Sequence, residues 1–111
     1  MISKINNKEN KIAEEIRAIF QVSYTVEAKM LKAIDFPPLK RTVSQFLKSD
    51  SEFYAYYLIE NIAGVIEIEN DEDSTHIQSL VVYPKYFRNG IGRKLVQFIL
   101  DNYKAKIFTV E

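Results

Sequence analysis

Ser79-Leu80-Val81-Val82-Tyr83-Pro84-Lys85-Tyr86-Phe87-Arg88-Asn89-Gly90-Ile91-Gly92-Arg93-Lys94-Leu95 is the stretch on which the reading of this chain turns. Leu80 to Val82 are apolar and the run stops at Pro84, which lacks the backbone donor of a sheet ladder, so it reads as the end of a strand. Gly90-Ile91-Gly92 then opens a helix whose apolar face is Leu95, Val96, Phe98, Ile99 and Leu100. A strand, a glycine turn and a helix make an anion site, because glycine lets a ligand approach the backbone while unpaired N–H groups and the helix dipole face it. Arg88 and Arg93 add positive charge. The competing reading gives the glycines to tight strand–helix packing, and the pattern alone leaves both open. Its spacing is neither that of a dinucleotide fingerprint nor that of a P-loop, which argues against NAD and ATP.

Upstream, a third strand runs from Thr75 to Tyr83, preceded by an acidic loop, Asn70-Asp71-Glu72-Asp73-Ser74. Phe53 to Ile59 and Ile62 to Glu69 are aromatic- and β-branched-rich and are separated by Glu60-Asn61, a hairpin signal. Ile12, Ile16, Ile19, Phe20, Tyr24, Ala28 and Leu31 recur at helical spacing, predicting a helix or a broken pair over residues 9 to 32. Asp35-Phe36-Pro37-Pro38 ends it in a turn, and Thr42 caps a short helix carrying Val43, Phe46 and Leu47. Downstream, Ile107 to Val110 forms a last strand returning parallel to the third. The expectation is one α/β domain over residues 1–111: N-terminal helices, three antiparallel strands, a glycine-started helix and a parallel strand.

Bulk composition narrows the function. With 47% hydrophobic and 27% charged residues, 111 residues make one globular core. Fifteen basic residues balance fifteen acidic ones, so neither nucleic acid nor an anionic membrane surface is an expected partner. The absence of cysteine and the single histidine argue against a metal site. Met1 to Lys11 is rich in Lys and Asn, without the apolar core of a signal peptide, and no run approaches the ~18 apolar residues of a membrane span. A cytoplasmic protein is the expectation.

In residues and in order, Ser79 to Leu95 resembles the acetyl-CoA segment of Gcn5-related N-acetyltransferases, in which an apolar strand ending in Val-x-Pro leads to (Gln/Arg)-x-x-Gly-x-(Gly/Ala) at the head of a helix. Ile62-Ala63-Gly64-Val65-Ile66 is similar to the family's preceding strand, and Phe108-Thr109-Val110-Glu111 to the start of its fifth. The similarity spans about residues 52 to 111. It implies that Leu80, Val81 and Val82 offer backbone groups to the pantetheine arm, and that Arg88, Asn89, Gly90, Ile91, Gly92 and Arg93 cradle the pyrophosphate. It also implies acetyl transfer from acetyl-CoA to a primary amine, of a small molecule or a peptide, in a direct ternary complex. Two departures stand out. Phe87 occupies the Gln/Arg position, with Arg88 one place later. Family domains also run further, through a helix bearing the tyrosine that protonates the leaving thiolate, so the sequence is expected to stop before that fold is complete. Tyr103 lies on a different element. The alternative reading is therefore an inactive or truncated module that binds CoA or a protein partner.

Acetyl transfer needs a group that takes a proton from the amine. His76, on the strand leading to the glycine loop, falls where the histone-acetylating branch of the family has a catalytic glutamate, and an imidazole with a pKa near ~6.5 suits the role. Glu67, on the neighbouring strand, is the rival, directly or through a water. Each has a plainer reading, as a structural strand histidine or a solvent-face carboxylate. Tyr54, Tyr56 and Tyr57 could line a substrate pocket or simply pack the sheet, and Lys40 and Arg41 could meet CoA phosphates or nothing at all. An apolar edge at Ile107 to Val110 predicts a homodimer.

Overall fold

The computed structural model describes residues 1–31, 40–71, 74–103 and 107–110. Five strands, β1 (Ile2–Ile5), β2 (Glu52–Leu58), β3 (Asn61–Asn70), β4 (Ser74–Val82) and β5 (Ile107–Val110), lie side by side in chain order. The first four pair antiparallel and β5 pairs with β4 in parallel. Helices α1 (Asn10–Leu31) and α2 (Val43–Lys48) cover one face and α3 (Ile91–Asn102) the other. The turn expected at Asp35-Phe36-Pro37-Pro38 lies outside the described residues.

Periodicity predicts one helix or a broken pair over residues 9 to 32, and Asn10–Leu31 form one helix. Its 3.6-residue period brings Ala13, Ile16, Ile19 and Phe20 onto the sheet, all buried. Thr42 caps α2 more completely than its identity alone implies. Its hydroxyl accepts from the Gln45 N–H at 3.2 Å and the Gln45 side chain accepts from the Thr42 N–H at 2.8 Å, a reciprocal box satisfying two orphan donors. The cap aims Phe46 inward, edge-on to Phe20 at 4.9 Å and to Phe53 at 6.1 Å.

The expectation of three antiparallel strands needs correction, for β1 adds a fourth. Ile5 packs beneath α1 and Ile2 on the α3 face, while Ser3 and Lys4 between them are exposed. Four residues with two isoleucines carry too little periodicity to separate strand from loop. What makes the strand is pairing with β2, from Ile2 opposite Tyr56 to Ile5 opposite Phe53. Just after it, buried Asn7 donates to the carbonyls of Phe46 at 2.6 Å and Ser49 at 3.0 Å, tying the β1–α1 connection to the end of α2.

The imperfect alternation of β3 has a cause: the strand is covered on both faces. Val65 enters the core under α1, whereas Ala63, Ile66 and Ile68 enter the core under α3 with Ile91, Leu95 and Ile99. Two irregularities interrupt the ladders. Ala63 is the extra residue opposite Tyr56 and Tyr57, and Gln78 the extra residue opposite Glu67 and Ile68. Between them, Gly64 admits α3. A Cβ there would stand 2.9 Å from Ile91 Cγ2 and 3.2 Å from both Leu95 Cδ1 and the Val81 carbonyl oxygen.

Candidate functional site

The end of β4 runs into a single 3₁₀ turn, Pro84–Tyr86, and then into the glycine loop. Gly90 is the N-cap of α3 with φ 75°, a left-handed conformation that glycine adopts without steric cost. Arg88 also has positive φ, 71°, where a side chain is strained. Gly90 brings no side chain to cap the helix, and the first helical bond is Lys94 N–H to the Gly90 carbonyl at 3.0 Å. The N–H groups of Ile91, Gly92 and Arg93 are thus the orphan donors of the first turn. Arg88, Asn89 and Arg93 are exposed beside them, and Ile91 is buried as the anchor of the turn.

The two loop glycines have no packing requirement. A Cβ at Gly90 would meet nothing within 4 Å, and one at Gly92 would make ordinary contacts with Leu80 Cδ2 at 3.6 Å and Val82 Cγ2 at 3.8 Å. The close strand–helix approach falls on Gly64 instead. A cavity of about 490 Å³ opens over the loop, bounded by Val82, Tyr86, Phe87, Arg88, Gly90, Ile91, Gly92 and Arg93. Amide donors, two arginines and open space at Gly90 suit a pyrophosphate.

Beside this cavity, β4 has a bare edge. β5 pairs with β4 only from Ser74 to Ile77, so from Gln78 to Val82 the edge away from β3 has no strand partner among the described residues. Leu80, Val81 and Val82 lie in that segment. Leu80 is partly exposed, Val81 is buried under α1 and Val82 leans on the α3 core.

The two sequence candidates for proton transfer share a face. Glu67 pairs opposite Ser79, and His76 opposite Glu69 on β3 and Thr109 on β5. The two-residue period from Val65 places Glu67 and Glu69 on the α1 side, and the register sets Ser79 opposite the first and, across the extra residue Gln78, His76 opposite the second. A cleft of about 350 Å³ lies there, lined by Phe20, Tyr24, Arg41, Ser49, Ser51, Glu67, Glu69, Gln78 and Ser79.

Arg41 has a partner that the sequence does not announce. It is committed to Glu67: its two terminal nitrogens donate to the two carboxylate oxygens at 2.7 and 2.8 Å. The Glu67 side chain is 3% exposed. The guanidinium lies 4.2 Å over the Phe46 ring, with Phe20 and Phe53 within 6 Å, and the Arg41 carbonyl accepts from Arg17 Nε at 3.3 Å. Residues 41 and 67 are too far apart for any local pattern to pair them. The three tyrosines of β2 line neither cleft. Tyr54 shares a 2.6 Å hydrogen bond with Tyr103, and Lys94 lies over Tyr56. Burial, reinforced by Glu15, pushes the Tyr57 hydroxyl pKa up. A further cavity of about 430 Å³, between α1 and the β2–β3 turn, shares only Tyr86 with the glycine loop.

Among the described residues no His, Cys, Asp and Glu group could hold a metal ion, and no helix is long and apolar enough to cross a membrane. The family described as Acetyltransferase (GNAT) domain matches residues 21–111. The UPF0157 protein YqkA of Bacillus subtilis (strain 168) is 35% identical over 102 residues, covering 92% of this chain and 30% of that protein. The chain thus spans less than a third of the curated relative it matches. Among solved structures, the tetramutant of the BH1408 protein from Bacillus halodurans aligns with TM-score 0.74 and 14% identity, over 100% of this chain and 81% of that one. The PaiA N-acetyltransferase from Thermoplasma acidophilum, in complex with coenzyme A, aligns with TM-score 0.71 and 14% identity, over 95% of this chain and 75% of that one. Glycine loop, sheet order and family match converge, and the chain belongs to the GNAT acetyltransferase domain family.

Proposed function

We propose that this chain binds acetyl-CoA at the first turn of α3 and transfers its acetyl group to a primary amine held in the cleft beside β4. The observation that carries this reading is the left-handed Gly90 cap, which leaves three helix-start amides open beside the bare edge of β4. Arg88, Asn89, Gly90, Ile91, Gly92 and Arg93 hold the pyrophosphate. Leu80, Val81 and Val82 offer backbone groups to the pantetheine arm. Acetyl-CoA supplies a thioester acyl group: the amine nitrogen forms the amide as the C–S bond breaks, and CoA leaves as the thiol. The amine must first lose its proton. Both Glu67 oxygens are engaged by Arg41, so direct acceptance falls to His76, and Glu67 stands as an ion-paired carboxylate in the cleft lining. The acceptor is the amine of a small molecule or a peptide, the setting cytoplasmic.

The engagement of Glu67 also favours a second reading, a module that binds CoA or a protein partner without turnover. One assay separates the two. With acetyl-CoA and simple primary amines, thiol release by the parent and its loss in His76→Ala support transfer through His76. Binding of CoA without thiol release supports the module. Equal rates in His76→Ala and Glu67→Gln remove both residues from proton transfer. The position of β5 at one side of the sheet supports a homodimer formed by edge pairing. A mass that stays monomeric by light scattering at tens of micromolar overturns it.

A further inference from the structure

The 3₁₀ turn Pro84–Tyr86 borders two cavities, and only one of them belongs to the glycine loop. The other, of about 430 Å³, shares Tyr86 with the loop and no residue with the cleft beside Glu67. Its volume is that of a small-molecule site. Ile19 and Ile62 line it with apolar surface, and Tyr83 and Tyr86 meet there edge to face, ring centroids 6.4 Å apart and planes at 73°. Glu15 from α1 and Glu60 from the β2–β3 turn add carboxylates, and among the described residues no ion pair engages either. The turn that delivers Glu60 is strained, because Ile59 has φ 59°, which a β-branched residue avoids. Ile59 is 97% exposed, so its own burial does not explain that conformation. A cation already occupies the aromatic surface. Exposed Lys85 holds its ammonium 5.1 Å from the Tyr86 centroid and 6.0 Å from the Tyr83 centroid.

We propose that this cavity is a second ligand site, which takes a small organic ammonium ion on Tyr83 and Tyr86 with Glu15 and Glu60 as counter-charges. Lys85 is its built-in occupant, displaced when the ligand enters. Ring faces carry negative charge density and attract a cation whose alkyl groups also gain from apolar walls. The carboxylates give the cavity a charge that a neutral molecule of the same shape cannot use. A metal ion suits it poorly, since rings and isoleucines offer no oxygen ligands to complete a coordination sphere. Lys85 is exposed on a flexible stem, so it leaves the rings for water readily. The site stands apart from acetyl transfer, because neither the acceptor cleft nor the amides of α3 take part in it.

The test titrates choline into the folded chain and follows the Tyr83 and Tyr86 ring resonances by NMR. Choline carries no N–H, so it cannot serve as an acceptor amine, and 3,3-dimethylbutan-1-ol is its neutral counterpart of the same shape. The expected result is a saturable movement of both rings with choline at millimolar concentration and none with the alcohol. Lys85→Ala vacates the rings and is expected to tighten choline about two- to fivefold. The double variant Glu15→Gln/Glu60→Gln is expected to weaken it about threefold or more. All three positions are at least partly exposed, so these variants keep the fold. Gly90→Glu is expected to bind choline as the parent does, which separates this site from the CoA loop. No saturable movement in Lys85→Ala, an equal response to the alcohol, or parental affinity in the double variant overturns the proposal. Choline affinity unchanged in Lys85→Ala overturns Lys85 as the occupant. Choline binding by a parent that fails to bind CoA defeats the acetyltransferase reading and leaves this site standing.

Discussion

Glu67 and Glu52 lie on opposite faces of the sheet, each beside aromatic rings, and the two are satisfied in opposite ways. Under α1 and α2, Glu67 is sealed and has one partner, Arg41, which occupies both of its oxygens. Toward α3, Glu52 is partly exposed and shares its oxygens among Lys4 at 3.0 Å, the Tyr103 hydroxyl at 3.3 Å and the Asn70 amide, which in turn accepts from Thr75 at 2.6 Å. A single buried partner concentrates the cost of loss in one bond pair and fixes one geometry. A partly hydrated network spreads that cost, because water and the remaining donors replace any one member. The first arrangement lies in the cleft where positioning matters. The second ties β1, β2, β3, β4 and the end of α3 together.

The sharpest way to break this contrast is to remove one charge from each face. Glu67→Gln leaves a largely buried guanidinium without its counter-charge and is expected to cost about 3 kcal/mol. Against a total stability of order 5–15 kcal/mol, that moves a urea midpoint far. Glu52→Gln is expected to cost about 1 kcal/mol or less. Equal midpoints for the two variants contradict the distinction.

Glycines sharpen the comparison next, at intermediate magnitude. Gly64→Ala forces a methyl against the Ile91 side chain and the Val81 carbonyl and is expected to cost about 1–3 kcal/mol. It also loosens the seat of α3 and weakens CoA binding. Gly92→Ala places its methyl in ordinary contact with Leu80 and Val82, and is expected to fall within about 0.5 kcal/mol of the parent. If Gly92→Ala proves the more destabilising, the loop glycines serve packing after all.

The smallest expected effect is the pH response of the Glu52 network. Partial burial works against the Glu52 carboxylate, but hydrogen bonds from Lys4, Asn70 and Tyr103 outweigh it and hold its pKa below the ordinary 4.5. Its contribution is therefore full above pH 4.5 and lost as pH falls through the lower folded value. On the alkaline side, burial first, then the Tyr54 and Glu52 neighbours, raises the Tyr103 pKa above the ordinary 10.0, so that contribution is lost as pH rises past 10.0. Denaturation midpoints from pH 3 to 11 should show both shoulders. Glu52→Gln should flatten the acid one, and an unchanged acid shoulder removes Glu52 as its source.

What was legible in the sequence was local. The strand ending at Val82 and Pro84, the helix after Gly90 and the cap at Thr42 each depend on residues within a few positions of one another, where period and capping chemistry act directly. β1 escaped because four residues gain their identity from a partner some fifty positions away. The Arg41–Glu67 clamp escaped for the same reason, and no composition signal marks it. Gly64 stands out in the sequence only by family likeness, although it is the glycine that packing requires. Gln78 looked like any strand residue until its lack of an opposite number placed the irregularity beside Ser79.

The central claim is that the first turn of α3 is built for the pyrophosphate of CoA. Isothermal calorimetry of the folded chain with CoA at millimolar concentration tests it most directly, using Gly90→Glu and Gly90→Asn as a pair. Asn tolerates the left-handed conformation and adds no charge, whereas Glu places a carboxylate against the phosphates. The account predicts measurable binding by the parent, near-parental binding by Gly90→Asn and loss in Gly90→Glu. No heat from a folded parent, or equal affinity in Gly90→Glu, would contradict it.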